Sequence, residues 1–201
     1  GISCRIGDIC SPAHCQEAIA ETVANYGGID ILCNVAGIIG FSSISDVTPD
    51  AWRRHFAVNL DGPFFLSQAA LPHLLKSRGN IVNIASSAAL IGEASLVPYA
   101  STKAALVHMT KSMAMELIHD LVRVNAICPG AIETAIMDGQ QLPDGIQLRP
   151  YQPFLPPARC VPPGGHCRSY SLCLLVGREI FTWRSALHRW RNHRRIDLKE
   201  L

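Results

Sequence analysis

The stretch Ile84–Leu106, "IASSAALIGEASLVPYASTKAAL", puts Tyr99 four residues before Lys103 and Ser86 thirteen residues before Tyr99. On a helix, residues at i and i+4 share a face, so the phenol and the ammonium are neighbours. A phenol ordinarily titrates near pH ~10, too high for a base near neutrality. An adjacent ammonium favours the phenolate and lowers that value. A fall of roughly three units takes about 4 kcal/mol of differential interaction. Ser86, at the end of the preceding strand-like run, faces the same spot. Its hydroxyl can hold a substrate oxygen while a proton moves to or from the tyrosine. The trio is a general acid/base arrangement for a carbonyl/alcohol pair. It supplies no electrons, so a hydride carrier has to lie alongside.

Outward from this stretch, residues 1–134 alternate short apolar runs with amphipathic segments. "ISCRIGD" reads as a strand ending at Asp8. "SPAHCQEAIAETVANYGG" reads as a helix with Ser11 as N-cap, Pro12 in the first turn and a stop at Gly27-Gly28. "IDILCNVAG" reads as a strand buried on both faces. A second Thr-Pro start opens a long segment, two helices or one kinked near Gly62-Pro63. "NIVNIAS" is a strand, "PYASTKAALVHMTKSMAMELI" a helix and "VRVNAICPG" a strand. This alternation predicts a parallel sheet with helices on both faces. Ligands of such sheets sit beyond the C-terminal strand ends. Those ends are Asp8, "NVAG", Ser86 and "PGAIET".

In that order and at that spacing, residues 1–134 resemble the short-chain dehydrogenase/reductase (SDR) family. The resemblance implies an α/β fold: a Rossmann-like doubly wound parallel sheet, incomplete, with the first two strands and the last strand missing. Asp8 stands where the family has an aspartate that meets the adenine ring. "NVAG", Asn34 to Gly37, resembles the family's Asn-Asn-Ala-Gly segment. That likeness makes Asn34, Ala36 and Gly37 cofactor-lining residues, with Val35 in place of the second asparagine. Asn59 in "VNLDG" matches the helix asparagine that holds a water linked to the lysine. Ser86, Tyr99 and Lys103 match the substrate orienter, the acid/base and its ribose-holding partner. Ser87 competes with Ser86, and the offset to Tyr99 favours Ser86. "PGAIET" resembles the segment that closes over the nicotinamide, with Pro129, Gly130, Ile132 and Thr134 as contacts. The implied reaction is NAD- or NADP-dependent interconversion of a secondary alcohol and a ketone, by an enzyme that is a homo-oligomer when intact. Ile38, Ile39 and Ile91 suggest an apolar substrate lining.

The family's Gly-rich pyrophosphate turn, Thr-Gly-x-x-x-Gly-x-Gly, does not occur in the 201 residues. Its absence predicts a chain that begins at the third strand, with "IDILCN" left as an open apolar edge and weak cofactor binding. Residues 135–158 read as a substrate-loop remnant rich in Pro and Gln. Residues 159–201 read as an irregular tail. The formal charge of +2 hides a split: nine Lys/Arg against thirteen Asp/Glu up to residue 158, nine against three beyond it. "RWRNHRR" with Trp190 could form a nucleic-acid or acidic-surface binding module. A shifted reading frame accounts for it better. Read one base later, the codons for "WRSALHRWRN" permit Gly-Ala-Ala-Leu-Phe-Ile-Asp-Gly-Gly, the family's last-strand pattern. No nucleic-acid partner is therefore expected. A catalytically inactive fragment is the other alternative. The eight cysteines form no C-x-x-C pair and the eight histidines show no metal-ligand spacing. Buried reduced thiols and no metal site are expected. No apolar run reaches a membrane span, and "GISCRIGDIC" has no signal-peptide core, so the expected location is the cytoplasm.

Overall fold

Ser11 and Pro12 start the first helix as the sequence predicts. In this computed structural model, residues 1–130 and the strand at 173–175 are described. Helix α1 runs Pro12–Tyr26, with the Ser11 hydroxyl accepting from His14 N at 3.4 Å. It ends at Gly27, whose φ of 85° needs a residue without a Cβ and lets its N–H bond Val23 O. Helix α2, Pro49–Phe56, is capped by Thr48 in the same way. Helix α3 follows as Gly62–Ser77. Between them Ala57–Asp61 form a π turn, in which Gly62 N–H reaches Ala57 O, five residues back. Pro63 explains the irregularity, because it has no N–H to return to the carbonyl of Asn59. Helix α4 spans Val97–Glu116, starting with Pro98 in its first turn.

The strands β1 (Ile31–Asn34), β2 (Asn80–Ile84) and β3 (Arg123–Cys128) pair in parallel in that order. The register aligns Leu32, Ile81 and Val124 across one face, with Asn34, Asn83 and Ala126 in the next row. Helices α1, α3 and α4 cover that face. Ile19, Ala70, Leu74, Ile81, Ala114 and Val124 make its core. The alternate residues Ile31 and Cys33 are exposed, and Val82 and Ile127 are half-buried. Among the described residues, helices therefore cover one face of the sheet where the strand-helix alternation predicts two. None of the described helices is long and apolar enough to cross a membrane.

Three expectations for the strands change. Residues 2–7 form no strand. Ile2 and Ile6 are fully exposed, because no described strand offers them a pairing partner. Arg5 instead ties the segment to α1 through Glu21, at 2.7 Å, and Glu17. Strand β1 is not buried on both faces. Among the described strands it pairs with β2 alone, and Ile31, on the face that no described helix covers, is 60% exposed. The free side of β3 is not left open. A strand β4, Cys173–Leu175, pairs with it antiparallel, Leu174 opposite Ile127, within the tail read as irregular. No disulfide joins Cys4, Cys10, Cys15, Cys33 and Cys128. Cys15 and Cys128 are buried as expected, whereas Cys4 and Cys33 are exposed.

Candidate active site

The C-terminal ends of β1, β2 and β3 meet above α4. Ala85 N–H bonds Ile127 O and Ser87 N–H bonds Pro129 O, each at 2.8 Å, so the segments leaving β2 and β3 stay side by side. Ser86 has extended backbone and caps a single 3-10 turn, Ser87–Ala89, accepting from Ala88 N at 3.2 Å. Its hydroxyl also acts on the Tyr99 phenol, lowering that group's pKa. The Ser87 hydroxyl instead lowers the pKa of the Glu93 carboxyl, against the larger upward push of burial. The two adjacent serines thus have different neighbours, and Ser86 is the one beside the phenol.

Lys103 is buried under Tyr99. Its Nζ lies 5.8 Å from the centroid of the Tyr99 ring and donates to Ile84 O at 2.7 Å. Burial drives the ammonium pKa down to about 8, against a small upward pull from Cys128. Tyr99 moves the other way from the sequence expectation. Burial raises its pKa, the Ser86 hydroxyl lowers it, and the charge of Glu93 raises it further. The physical reason is that desolvation of the phenolate outweighs the favourable contacts, and Lys103 is directed at the Ile84 carbonyl.

Asn59 is fully buried in the π turn. Its Oδ1 accepts from Ile38 N at 2.8 Å, and its Nδ2 donates to Ile38 O at 3.0 Å and Thr102 Oγ1 at 3.1 Å. The side-chain amide therefore pins the backbone after "NVAG". Thr102 Oγ1 passes the connection on to Tyr99 O at 2.7 Å. Gly37 closes the arrangement. A Cβ there would lie 3.3 Å from both Asn59 Oδ1 and Lys103 Nζ. Ala36 beside it is exposed.

Below this layer runs a buried polar ladder. Ser67 donates to Pro63 O at 2.6 Å. Asn34 Nδ2 donates to Ser67 Oγ and to Asn83 Oδ1, the latter at 2.8 Å. Asn83 Nδ2 donates to Thr110 Oγ1, which donates to Leu106 O. Asn34 Oδ1 is buried with no partner among the described residues. Asn34 thus ties β1 to β2 and α3. Thr102, Ser67, Asn83 and Thr110 were not read from the sequence as site-supporting residues. The signal for them is a polar residue inside an apolar period, as in "NIVNI" and "FFLSQAAL".

Asp8 makes its contacts elsewhere. It sits in the turn before α1, where Cys10 N–H donates to its carboxylate at 3.0 Å and holds its pKa down. Its backbone N–H meets His14 Nδ1. Pro129 and Gly130 lie half-buried at the end of β3. Ile132, Thr134 and the rest of "PGAIET", the loop at 135–158 and the side chains of the tail fall outside the described residues.

The sequence profile of the short chain dehydrogenases matches residues 2–143. The chain belongs to this family. It is similar to the meso-2,3-butanediol dehydrogenase of Serratia marcescens, with 37% identity over 132 residues, 66% of this chain and 53% of that enzyme. It is 38% identical over 133 residues to the L-fucose dehydrogenase of Mus musculus, covering 66% of this chain and 49% of that one. Among solved structures, a gluconate 5-dehydrogenase from Burkholderia cenocepacia in complex with NADP and tartrate superposes with a TM-score of 0.63 at 34% identity. The overlap covers 66% of this chain and 52% of that one. The chain spans about half the length of the curated relatives it matches. These neighbours are SDR Rossmann-fold enzymes, and the three parallel strands with their helices are the matching part of that fold.

Proposed function

We propose that the whole protein carrying this chain is an oxidoreductase that interconverts a secondary alcohol and a ketone with NAD or NADP. The observation that carries this reading is the convergence of Ser86, Tyr99 and buried Lys103 at one end of the parallel sheet. The residues present fit the nicotinamide-ribose half of such a cofactor. Gly37 keeps open a gap that a Cβ would fill against Asn59 and Lys103. Lys103 has three donors and spends one on Ile84 O, which leaves donors for ribose hydroxyls. A nicotinamide cofactor held there would supply or accept the hydride. Ser86 holds the reacting oxygen and Tyr99 exchanges its proton. Lys103 favours the phenolate once its ammonium turns toward it, with Asn59, as the resemblance implies, holding a water linked to the lysine. The butanediol and fucose dehydrogenases among the relatives point to a small hydroxylated substrate, and a structural neighbour holds NADP.

The test is steady-state oxidation of simple secondary alcohols by the whole protein with NAD and with NADP. Turnover is expected with at least one cofactor. Ser86→Ala should lower kcat on such an alcohol by ~10²-fold or more, and Ser87→Ala by about tenfold or less. Equal losses in the two serine variants would reverse the assignment of the orienting hydroxyl.

A further inference from the structure

Tyr99 lies in the first turn of α4, and that turn is weakly held from its own side. Helices α1 and α2 begin on the hydroxyls of Ser11 and Thr48, each of which accepts from a backbone N–H of its first turn. Helix α4 begins after Leu96, whose side chain can accept nothing, and runs on through Pro98, which has no N–H. Leu96 O accepts Ala100 N–H at 2.8 Å, and Tyr99 precedes that bond. Helix ends without such a cap fray. Proton exchange by the phenol needs the opposite, because a misplacement on the order of 1 Å can lower a rate ~10²-fold.

Thr102 supplies a hold from within the protein. Thr102 and Asn59 are both fully buried. Thr102 Oγ1 donates to Tyr99 O at 2.7 Å and accepts from Asn59 Nδ2 at 3.1 Å. A hydroxyl has one hydrogen, and here it goes to Tyr99 O, so the direction of the Asn59 bond is fixed. A helical threonine often bonds the carbonyl three residues back, and that bond alone would be a local habit. The Asn59 bond is not local, since it joins residues 43 apart in the chain. Asn59 turns the rest of its amide to Ile38, Oδ1 accepting from the N–H and Nδ2 donating to the carbonyl. Directional hydrogen bonds thus run unbroken from the backbone of Ile38, beside Gly37, to the backbone of Tyr99.

We propose that Thr102 is a positioning residue whose hydroxyl ties the first turn of α4 to the segment after β1, so that the Tyr99 phenol keeps one fixed place relative to Gly37 and Ile38. This rests on the reading that Tyr99 exchanges the substrate's proton beside a nicotinamide cofactor. Thr102 touches neither substrate nor cofactor, being buried beneath both segments, and acts through Asn59 and Tyr99 alone. Without the hydroxyl, one Asn59 N–H loses its acceptor and the Tyr99 turn keeps only its helical bonds. The sheet does not depend on this hydroxyl, because the Asn34–Asn83–Thr110 ladder runs through other groups.

The experiment measures kcat and KM for one secondary alcohol in the whole protein and in Thr102→Val, Thr102→Ala and Thr102→Ser, with circular dichroism to select folded variants. Valine keeps the shape and removes the hydroxyl. Its kcat should fall about tenfold or more while KM for the alcohol stays within about threefold, the mark of a loss felt in the transition state. Serine restores the hydroxyl, and its kcat should return to within about threefold of wild type. Alanine serves if the valine variant does not fold, because it leaves room for a water to pair Asn59 and still cuts the direct tie. A folded valine or alanine variant with near wild-type kcat overturns the proposal, even if its unfolding midpoint drops, since the hydroxyl would then be structural only. A serine variant as slow as the valine one also overturns it. If the wild type oxidises no secondary alcohol with NAD or NADP, the oxidoreductase reading fails, and the tie is decided by the backbone amide resonance of Ile38. That N–H reports on Asn59 Oδ1. It should move in the valine or alanine variant and stay near its wild-type position in the serine one, and a resonance unmoved by loss of the hydroxyl overturns the proposal.

Discussion

Lys103 carries the strongest electrostatic signature among the described residues. It is buried, its Nζ is directed at Ile84 O, and its pKa is depressed from 10.5 to about 8. The sign of the pH effect follows. Between about 8 and 10.5 the unfolded chain holds a proton on this lysine that the folded chain has released. Stability from this group therefore rises with pH across that window. Below about 8 the lysine is charged in both states and the cost of burying it is fully present. At about 1.4 kcal/mol per unit, the cost is on the order of 3 kcal/mol. Lys103→Met removes the titration. The unfolding free energy of the wild type, relative to this variant, should rise by roughly that amount from pH 8 to 10.5, as read from urea titrations. A flat difference would mean that the folded ammonium is not desolvated. Tyr99 opposes this trend at high pH in both proteins, because its folded pKa is raised, and the comparison cancels it. The Tyr-x-x-x-Lys spacing was legible in the sequence. The direction of the Tyr99 shift was not, because it depends on burial and on Glu93, neither of which spacing encodes.

The elements show where backbone closeness, not side-chain chemistry, fixes the site. Gly79 joins α3 to β2, and a Cβ there would lie 2.5 Å from Asp30 O and 2.7 Å from Leu74 Cδ2. Asp30 O cannot retreat, since it accepts from Asn80 N at 2.9 Å at the start of the β1–β2 pairing. Gly62 is less crowded, with its nearest approach 2.9 Å, and by the side chain of Ile9, which can rotate. Gly79→Ala should therefore cost roughly 1–3 kcal/mol, and Gly62→Ala clearly less, in denaturant unfolding midpoints. Equal costs would show that the α3–β2 corner yields. The helix starts at Ser11 and Thr48 were legible because their cap residues and prolines are local signals. The π turn was not. Gly62-Pro63 marked an irregularity, but the choice among kink, break and π turn depends on how Asn59 packs against Ile38 and Thr102. The strand expected at residues 2–7 failed for a similar reason. Apolar alternation gives a strand only where a partner strand exists.

At the scale of the molecule, three parallel strands with helices on one face bring Asn59, Ser86, Tyr99 and Lys103 together above the Asn34–Asn83–Thr110 ladder, while Asp8 lies apart in the turn before α1. The fold class and the gathering of Ser86, Tyr99 and Lys103 at one sheet end were legible because strand ends and helix starts fix where side chains emerge in a parallel sheet, whereas Asn59 was named by resemblance alone. The ladder was not, because each of its side-chain bonds joins elements distant in sequence. The chain spans about half of its relatives, so the activity belongs to the whole protein and turns on whether Tyr99 transfers the proton. The direct measurement is kcat of the whole protein and of Tyr99→Phe with the same secondary alcohol and nicotinamide cofactor, with circular dichroism to establish that both are folded. The phenyl ring keeps the packing and removes only the hydroxyl on which Ser86 acts. The account predicts a folded variant whose kcat is lower by ~10²-fold or more. A folded variant with near-normal turnover would contradict it.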